Sequence, residues 1–218
     1  MNSQKMRVIL IGGGKFAGLL YYMFNKTYDF IGYIDDVYDH AYIEENYGLK
    51  KLGTSKDLPQ IVSFCNNAII SIGSTGDTST RSKYYEKLAK IGFNFPSLIS
   101  KTSIVADNAF IGSGAIIQQN VIIDPMVKIG KNCVISSGSI IRHDTKIGNN
   151  VFIAPSVILN GSSIIGDNTF IGTGATVIQK IIIGNNCIIG AASCAIEDIA
   201  DNSKVAGVPA RPIVEAIK

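Results

Sequence analysis

The sequence predicts a two-part chain, in which a small parallel α/β domain precedes a three-sided parallel β-helix. From Ile99 to Ala195 every sixth residue is aliphatic, so that seventeen hexads follow one another in phase. Glycines also recur at intervals of 18 residues, or three hexads, from Gly112 to Gly184. A fixed short period of this kind is typical of a stacked repeat architecture. Before residue 97, short apolar runs alternate with glycine-rich turns and helical stretches, which is the pattern of an α/β domain.

The first part begins with the layout of a mononucleotide-binding βαβ unit. Arg7–Ile11 reads as a buried strand, and the glycine-rich turn Gly12–Gly18 follows it at once. Leu19–Asn25 then suits a helix, and Phe30–Ile34 suits a second strand that ends in Asp35-Asp36. Glycines let the backbone approach phosphates, and a helix N-terminus offers free N–H groups. An acidic residue after the second strand can accept hydrogen bonds from a ribose or a base.

A third strand, Ala68–Ile72, is followed by Gly73, a polar loop, and a helix predicted over Ser79–Ile91. Parallel strands carry their ligand crevice at their carboxyl ends, so three turns of this domain should converge there. The residues expected to bind substrate in this crevice are Gly12, Gly13, Gly14, Lys15, Asp35, Asp36 and Gly73.

In the second part, each aliphatic lead and the small or β-branched residue four positions later are expected to point inward. Three short strands per coil, stacked at about 4.8 Å, would then bury a continuous aliphatic column. Gly and Asn adopt positive φ more readily than most residues. The corner that runs from Gly112 to Gly184, with its asparagines from Asn132 to Asn186, should therefore supply the positive-φ residues of the coils.

The composition argues against several classes of function. No apolar run reaches the roughly 18 residues that a membrane-spanning helix needs, and the amino terminus lacks a secretory pattern. A net charge of +3 without a basic cluster gives no support for nucleic-acid binding. Cys133 and Cys187 occupy inward positions three coils apart, about 14 Å, which exceeds the ~7 Å limit for a disulfide. We therefore expect reduced cysteines, no metal site and a cytoplasmic location.

Two histidines are candidates for proton transfer. His40 lies between tyrosines in a loop after Asp36, where a surface residue is the simplest interpretation. His143 occupies the third position of a hexad, which points outward, and Asp144 follows it. An imidazole removes protons near neutral pH, and a neighbouring carboxylate can orient the ring and raise its basicity.

Several short motifs together resemble one family over essentially the whole chain. They are the glycine run at Gly12, Asp35-Asp36, Ile72-Gly73, Arg142-His143-Asp144, Ile153-Ala154-Pro155, Gly161, Ile171-Gly172 and Val205–Ala210. The chain is similar to hexapeptide-repeat sugar acetyltransferases of the sialic-acid O-acetyltransferase type. It particularly resembles the bacterial N-acetyltransferases that act on nucleotide-linked 4-amino-4,6-dideoxy sugars.

This resemblance implies a left-handed β-helix, a hand that the sequence period alone does not give. It implies a nucleotide-sugar-binding domain over residues 1–97, an acyltransferase β-helix over 98–204 and a tail over 205–218. It also implies a homotrimer with acetyl-CoA in the grooves between subunits. His143 would be the general base and Asp144 its acidic neighbour, and the amine would attack the thioester directly.

The resemblance also suggests residues that contact the cofactor. Backbone groups near Gly161 and Ala191 match such positions. Lys204 and Arg211 are added because of their charge, which suits them to the phosphates, and not because of the resemblance. Phe152 stands where many relatives have a second histidine that contacts the cofactor. This departure questions the hydrogen bond on the thioester side but leaves the proposed base in place.

Three alternatives differ in what they require. O-acetylation of a sugar hydroxyl would use the same base, and only the acceptor pocket would distinguish it. A β-helix carbonic anhydrase needs three histidines around zinc, but His143 is the single histidine of the repeats. A binding scaffold would need no base at all. The sequence leaves open the nucleotide base (UDP, dTDP or GDP), the sugar stereochemistry and the pathway that uses the product.

Overall fold

The computed structural model describes residues 5–37 and 41–213, and it divides the chain into two compact units. The first comprises Met1–Gly73 and Thr80–Pro96, and the second comprises Ser74–Ser79 and Ser97–Lys218. Among the described residues, no helix has both the length and the apolar character that crossing a bilayer requires.

The first unit contains the predicted parallel sheet. Its elements are β1 (Met6–Ile11), α1 (Lys15–Phe24), β2 (Tyr28–Ile34), α2 (Tyr42–Tyr47), β3 (Lys51–Gly53), α3 (Leu58–Ile61), β4 (Ala68–Ile70) and α4 (Ser79–Ile91). The strands are all parallel and have the order β3-β2-β1-β4. Strand β3 was not expected, because three residues are too short for a recognisable apolar run.

Strand β1 lies inside the sheet, and its sequence shows it. Val8, Ile9, Leu10 and Ile11 are all almost completely buried. A strand covered on both faces needs apolar residues at consecutive positions, whereas a half-exposed strand alternates. The unbroken run that predicted a buried strand therefore reflects neighbours on both edges and cover on both faces.

The second unit is a three-sided parallel β-helix. Seventeen two-residue strands, from β5 (Leu98–Ile99) to β21 (Cys194–Ala195), follow at intervals of six residues, and each ends on a predicted hexad lead. They form a five-stranded face (β7, β10, β13, β16, β19), a six-stranded face (β6, β9, β12, β15, β18, β21) and an eight-stranded face (β5, β8, β11, β14, β17, β20, with β22 and β23). Partners are 18 residues apart, as in the pair of Lys128 with Lys146.

The strands β6 to β20 that build these faces are the following: β6 (Ile104–Val105), β7 (Phe110–Ile111), β8 (Ile116–Ile117), β9 (Ile122–Ile123), β10 (Lys128–Ile129), β11 (Val134–Ile135), β12 (Ile140–Ile141), β13 (Lys146–Ile147), β14 (Phe152–Ile153), β15 (Ile158–Leu159), β16 (Ile164–Ile165), β17 (Phe170–Ile171), β18 (Thr176–Val177), β19 (Ile182–Ile183) and β20 (Ile188–Ile189). Two last strands close the unit. β22 (Lys204–Ala206) pairs parallel with β20, and β23 (Arg211–Pro212) pairs antiparallel with β22.

From Ile117 to Ala195 the hexad leads and the apolar small residues between them form one continuous core, as the period predicts, with Val105 and Ile111 partly buried against it. The first lead, Ile99, is 43% exposed and does not belong to this core, contrary to the prediction. Cys133 and Cys187 lie in this core, and all four cysteines are free. Polar residues also line the coils in order. A ladder of side-chain amides runs along one corner, each Nδ2 donating to the Oδ1 of the next coil at 2.8, 3.1, 3.3 and 3.0 Å, through Asn132, Asn150, Asn168, Asn186 and Asn202.

The glycines of that corner have a different role from the predicted one. Gly112, Gly130 and Gly148 do not have positive φ. A Cβ on Gly112 would instead lie 2.6 Å from the carbonyl group of Gly130 in the next coil, so the glycines allow successive backbones to pack closely. The prediction of positive φ was therefore wrong for the glycines of this corner and for Asn149 and Asn185, and right for Asn132, Asn150, Asn168 and Asn186.

Positive φ occurs at every corner, not at one corner of each coil. It recurs every six residues at Gly114, Asn120, Met126, Asn132, Gly138, Asp144, Asn150, Ser156, Ser162, Asn168, Gly174, Lys180, Asn186 and Ala192. Only some of these residue types favour the left-handed region, so the six-residue period was hidden in the sequence. The repeated strand and turn therefore impose the conformation even on Met, Lys and Ala.

Candidate active site

The carboxyl ends of β1, β2 and β4 open onto a cavity of about 450 Å³ in the first unit. Six of the seven residues predicted to bind substrate line it, namely Gly12, Gly14, Lys15, Asp35, Asp36 and Gly73. The other lining residues are Ile11, Phe16, Ile34, Val37, Ser71, Ile72, Thr80 and Tyr84. The seventh predicted residue, Gly13, is buried and does not line the cavity.

The three glycines after β1 differ in what requires them. Gly12 has φ +101°, a conformation that other residues rarely adopt. A Cβ on Gly13 would lie 2.7 Å from the ring of Tyr33, so this glycine permits close packing. Gly14 precedes α1 and has no atom within 4 Å of a Cβ position. A side chain at Gly14 would therefore meet open space, and the residue lies at the N-terminus of α1, where the first N–H groups have no partner within the helix.

Asp35 is buried and uses its carboxylate to hold the backbone. Its Oδ2 accepts the N–H of Gly13 at 2.8 Å, and its Oδ1 accepts the N–H of Val37 at 2.8 Å. The residue thus links the glycine turn to the end of β2. The sequence predicted Asp35 as a ligand-binding acid, and the structure gives it contacts that position the turn.

Asp36 lies beside it, more exposed, and forms a pair with Tyr84 of α4. The Tyr84 hydroxyl donates to Asp36, and the N–H of Ser55 donates to the other carboxylate oxygen at 2.6 Å. Partial burial alone would raise the pKa of Asp36, but these hydrogen bonds outweigh it and lower the pKa below its ordinary value. Burial and the hydrogen bond to Asp36 raise the pKa of Tyr84 to about 12. Near neutral pH the pair is therefore a carboxylate and a neutral phenol.

Sequence reasoning did not identify Tyr84 or Thr80 as cavity residues. They lie four residues apart on α4, so they occupy one face of the helix. That spacing, at the start of the helix after the third predicted strand, was the signal that could have identified them. Arg81 between them is buried and donates to the backbone oxygens of Ile70 and Ile72, which fixes the end of β4.

In the second unit, His143 lies at the corner between β12 on the six-stranded face and β13 on the five-stranded face. The side chains of His143 and Asp144 are 58% and 56% exposed, and Nδ1 of the ring lies 2.8 Å from the Asp144 carboxylate. Asp144 occupies the positive-φ position of the corner, with φ +61°. An ionised carboxylate can only accept, so Nδ1 carries the hydrogen and Nε2 of the neutral ring carries the lone pair.

Gly161 lies at the same corner in the next coil, 18 residues later. A Cβ there would lie 2.7 Å from both Cε1 and Nε2 of His143. The N–H of Ser162 also donates to the backbone oxygen of His143 at 2.9 Å. The structure therefore brings His143, Asp144 and Gly161 together at one exposed place.

The remaining residues predicted to contact the cofactor lie elsewhere on the β-helix. Phe152 is on the eight-stranded face, 7% exposed, and its ring stacks on Phe170 with centroids 5.8 Å apart. Lys204 is on β22 of the same face, and Arg211 on β23 pairs with Glu197. Ala191 lies at the corner between the eight- and six-stranded faces. The His143 corner is opposite the eight-stranded face, so one chain does not gather these residues.

The site has no sign of a metal centre in the part of the chain that is described. Residues 5–37 and 41–213 contain no group of three or more His, Cys, Asp or Glu side chains suitably placed for a metal ion. His40, the second histidine of the sequence, lies outside these residues.

Comparison with known proteins identifies the repeats. The pattern described as "Bacterial transferase hexapeptide (six repeats)" matches residues 126–161 and 162–193. The pattern described as "Hexapeptide repeat of succinyl-transferase" matches residues 104–143. A search of curated proteins finds no match.

Solved structures resemble both units together. A variant of perosamine N-acetyltransferase from Caulobacter crescentus, in complex with CoA and GDP-perosamine, is 25% identical, with a TM-score of 0.89 over 95% of this chain and 97% of that chain. The acetyltransferase domain of PglB from Neisseria gonorrhoeae FA1090, in complex with acetyl coenzyme A, is 25% identical, with a TM-score of 0.87 over 96% of this chain and 100% of that chain. WeeI from Acinetobacter baumannii AYE, 24% identical over 96% of this chain and 100% of its own, has the same fold with a TM-score of 0.84.

These likenesses extend over nearly the full length of both partners, so the α/β unit and the repeats occur in the same order in each. They confirm the predicted fold class, an α/β domain followed by a left-handed parallel β-helix. Residues 104–193 therefore carry hexapeptide repeats of the bacterial transferase kind, and the chain as a whole is similar in structure to perosamine N-acetyltransferase and to the acetyltransferase domain of PglB.

Proposed function

We propose that the protein transfers the acetyl group of acetyl-CoA to the amino group of a nucleotide-linked 4-amino-4,6-dideoxy sugar. The observation that carries this proposal is the exposed His143–Asp144 pair, with a 2.8 Å contact, on a hexapeptide β-helix. The perosamine enzyme supplies further support, because it was crystallised with CoA and GDP-perosamine in forms in which one histidine is replaced by asparagine or alanine.

In the proposed reaction, His143 acts as the general base. Nδ1 donates its hydrogen to Asp144, which leaves a lone pair on Nε2 to accept a proton. The amine nitrogen forms a bond to the thioester carbonyl carbon while its proton passes to Nε2. The C–S bond then breaks, and the imidazolium returns the proton to the departing CoA sulfur. No covalent enzyme intermediate is needed.

The nucleotide is proposed to bind in the cavity of the first unit. The glycine turn and the first turn of α1 present backbone N–H groups, and Lys15 adds a positive charge suited to a diphosphate. Asp36 is a carboxylate in this cavity and can accept hydrogen bonds from the nucleoside. Gly73 and Tyr84 complete the walls. Asp35 would act indirectly, by holding the turn.

The proposed enzyme is a homotrimer, with acetyl-CoA in a groove between neighbouring chains. Phe152, Ala191, Lys204 and Arg211 lie away from the His143 corner, so a site that used all of them needs parts of more than one chain. Aliphatic residues also face outward along four coils of the six-stranded face, at Ile104, Ile122, Ile140 and Ile158. Such a row is suited to burial against another subunit.

Sedimentation tests the trimer directly. A species of about three chains is expected, and substitution of Ile140 by lysine should dissociate it, because an unpaired charge would be buried at the contact. A monomer at micromolar concentration would contradict the proposed assembly.

We place the reaction in the cytoplasm, since free cysteines are typical of that compartment.

A panel of acceptors tests the reaction itself. The protein is mixed with acetyl-CoA and with UDP-, dTDP- or GDP-linked amino sugars, free thiol is followed, and the product is identified by mass spectrometry. We expect thiol release with one nucleotide class of 4-amino sugar and none with the matching 4-hydroxy sugar. Thiol release with hydroxyl acceptors alone would replace N-transfer by O-acetylation, and no release with any acceptor would reject the transferase.

A further inference from the structure

Gly161 occupies a corner position that recurs once in each hexad, and in all the other hexads the residue at this position has a side chain. Among the residues two places after each hexad lead, glycine occurs once. The set from residue 113 to residue 191 is Ser113, Gln119, Pro125, Lys131, Ser137, His143, Asn149, Pro155, Gly161, Asp167, Thr173, Gln179, Asn185 and Ala191. The corner itself therefore does not require glycine.

The backbone of Gly161 does not require glycine either. Its φ is not positive, whereas glycines such as Gly138 and Gly174 at other corner positions have φ of +74° and +69°. An alanine could adopt the same φ and ψ without strain. Something outside the backbone must therefore account for the missing side chain.

The neighbour that a side chain would meet is the imidazole of His143. A Cβ at residue 161 would lie 2.7 Å from Cε1, 2.7 Å from Nε2 and 3.3 Å from Cδ2, and these three atoms belong to one ring. At Gly112, by contrast, the nearest atoms belong to the backbone of the next coil. The ring of His143 thus rests directly on Gly161, while Nδ1 is held by Asp144.

We infer that Gly161 is a positioning residue, whose missing side chain leaves the space in which the His143 ring lies with Nδ1 on Asp144 and Nε2 available to the acceptor. The importance of this for catalysis rests on the proposed function, in which His143 is the base. The position of the ring against Gly161 does not depend on the proposed function. The assigned role also differs from a backbone contact between Gly161 and the cofactor, because it acts through the imidazole and exists before any cofactor binds.

Nuclear magnetic resonance of Gly161→Ala tests the seating directly. The chain has two histidines, so the ring Cε1–H signals of His40 and His143 can be separated, and His143→Asn assigns them. We expect the His143 signal of Gly161→Ala to move while the His40 signal stays, in protein without ligands. The melting temperature should change by less than about 3 °C, since the exposed ring can yield. An unmoved His143 signal would overturn the inference and leave the proposed reaction untouched.

Kinetics of a double-variant cycle then separate positioning from cofactor contact. Gly161→Ala should lower kcat about 10²-fold, the scale for a misplaced catalytic group, with little change in KM for acetyl-CoA. In the His143→Ala background the same substitution should have almost no further effect, because its target is gone. A higher KM with unchanged kcat, or an equal loss in both backgrounds, would overturn positioning in favour of a direct contact. If the wild type has no turnover, the proposed function fails and the resonance experiment still decides the seating.

Discussion

In the α/β unit the polar contacts follow no sequence period, whereas in the β-helix one amide contact recurs from coil to coil between Asn132 and Asn202. Asp35 accepts from Gly13 and Asp36 accepts from Tyr84, across sequence separations of 22 and 48 residues. Asn150, by contrast, accepts from one neighbouring coil and donates to the other, as Asn168 also does. A repeat supplies its own reference, so that a departure from it can be recognised.

The difference decides how function can be recognised in each unit. In the β-helix, His143 and Gly161 stand out because fourteen equivalent positions are available for comparison. In the α/β unit no position has such an equivalent, and the place where three strands end indicates the cavity.

Replacement of His143 should have the largest effect, a loss of activity. His143→Asn is expected to lower kcat by about 10²–10⁴-fold, the usual contribution of a general base, and to leave folding intact because the side chain is exposed. Steady-state kinetics and circular dichroism measure the two quantities. Lys131→Ala, at the same hexad position of another corner, is the control and should retain activity. Activity of His143→Asn within a few-fold of wild type would exclude His143 from the mechanism.

A variant that breaks the asparagine ladder should lose stability whether or not the protein is an enzyme. Asn150→Ala removes two amide hydrogen bonds and should lower the free energy of unfolding by about 1–3 kcal/mol. Ser156→Ala is the matched control, since Ser156 also has positive φ but is no part of the ladder. Denaturant titration of both variants is the measurement. Equal losses would show that the backbone conformation, not the ladder, is responsible.

Alanine substitutions at Gly13 and Gly14 should affect stability differently, because Gly13 is closely packed and Gly14 is not. Gly13→Ala would push a methyl group into Ala41 and Tyr33 and should destabilise the protein by about 1–3 kcal/mol. Gly14→Ala has open space and an ordinary φ of −74°, so its stability should be unchanged or slightly higher. Thermal unfolding compares the two, and a nucleotide titration of Gly14→Ala reports on the cavity. A destabilised Gly14→Ala would contradict the assignment of open space at this position.

The smallest effect is expected in the acid stability of the α/β unit. Because the pKa of Asp36 is lowered in the folded state, its contribution to stability is present above the ordinary value of 3.8 and is lost as the pH falls through the lower folded value. Tyr84→Phe removes one hydrogen bond to Asp36, so the loss of stability between pH 5 and pH 3 should be smaller than in wild type. Urea titrations across this range give the difference. An identical pH dependence would show that Tyr84 does not stabilise the charged carboxylate.

The regular part of the fold could be predicted in detail because a period averages over many residues. All seventeen hexad leads coincide with strand ends, and no single substitution could have disguised that phase. The role of Gly112 and its equivalents could not be predicted correctly, because glycine is used both where φ is positive and where two backbones lie close together. Only the distance between coils distinguishes the two.

The sequence predicted where the candidate sites lie better than it predicted the contacts within them. The convergence of the glycine turn with Asp36 and Gly73 follows from parallel topology. The partnership of Asp36 with Tyr84, 48 residues later, depends on where α4 packs, and no local pattern reports that. His143 and Asp144 are adjacent in sequence, but the contact of the ring with Gly161 depends on the 18-residue length of a coil.

The corner positions of the β-helix are also mounting points at fixed heights along its axis. Each coil raises the next corner by about 4.8 Å, so a reactive side chain can be moved only in steps of that size. A histidine moved from residue 143 to residue 161 would rise by one such step, which exceeds the reach of a hydrogen bond. An acceptor of different length could therefore be served only by shifting the base a whole coil, together with its neighbouring carboxylate and the glycine against its ring in the next coil.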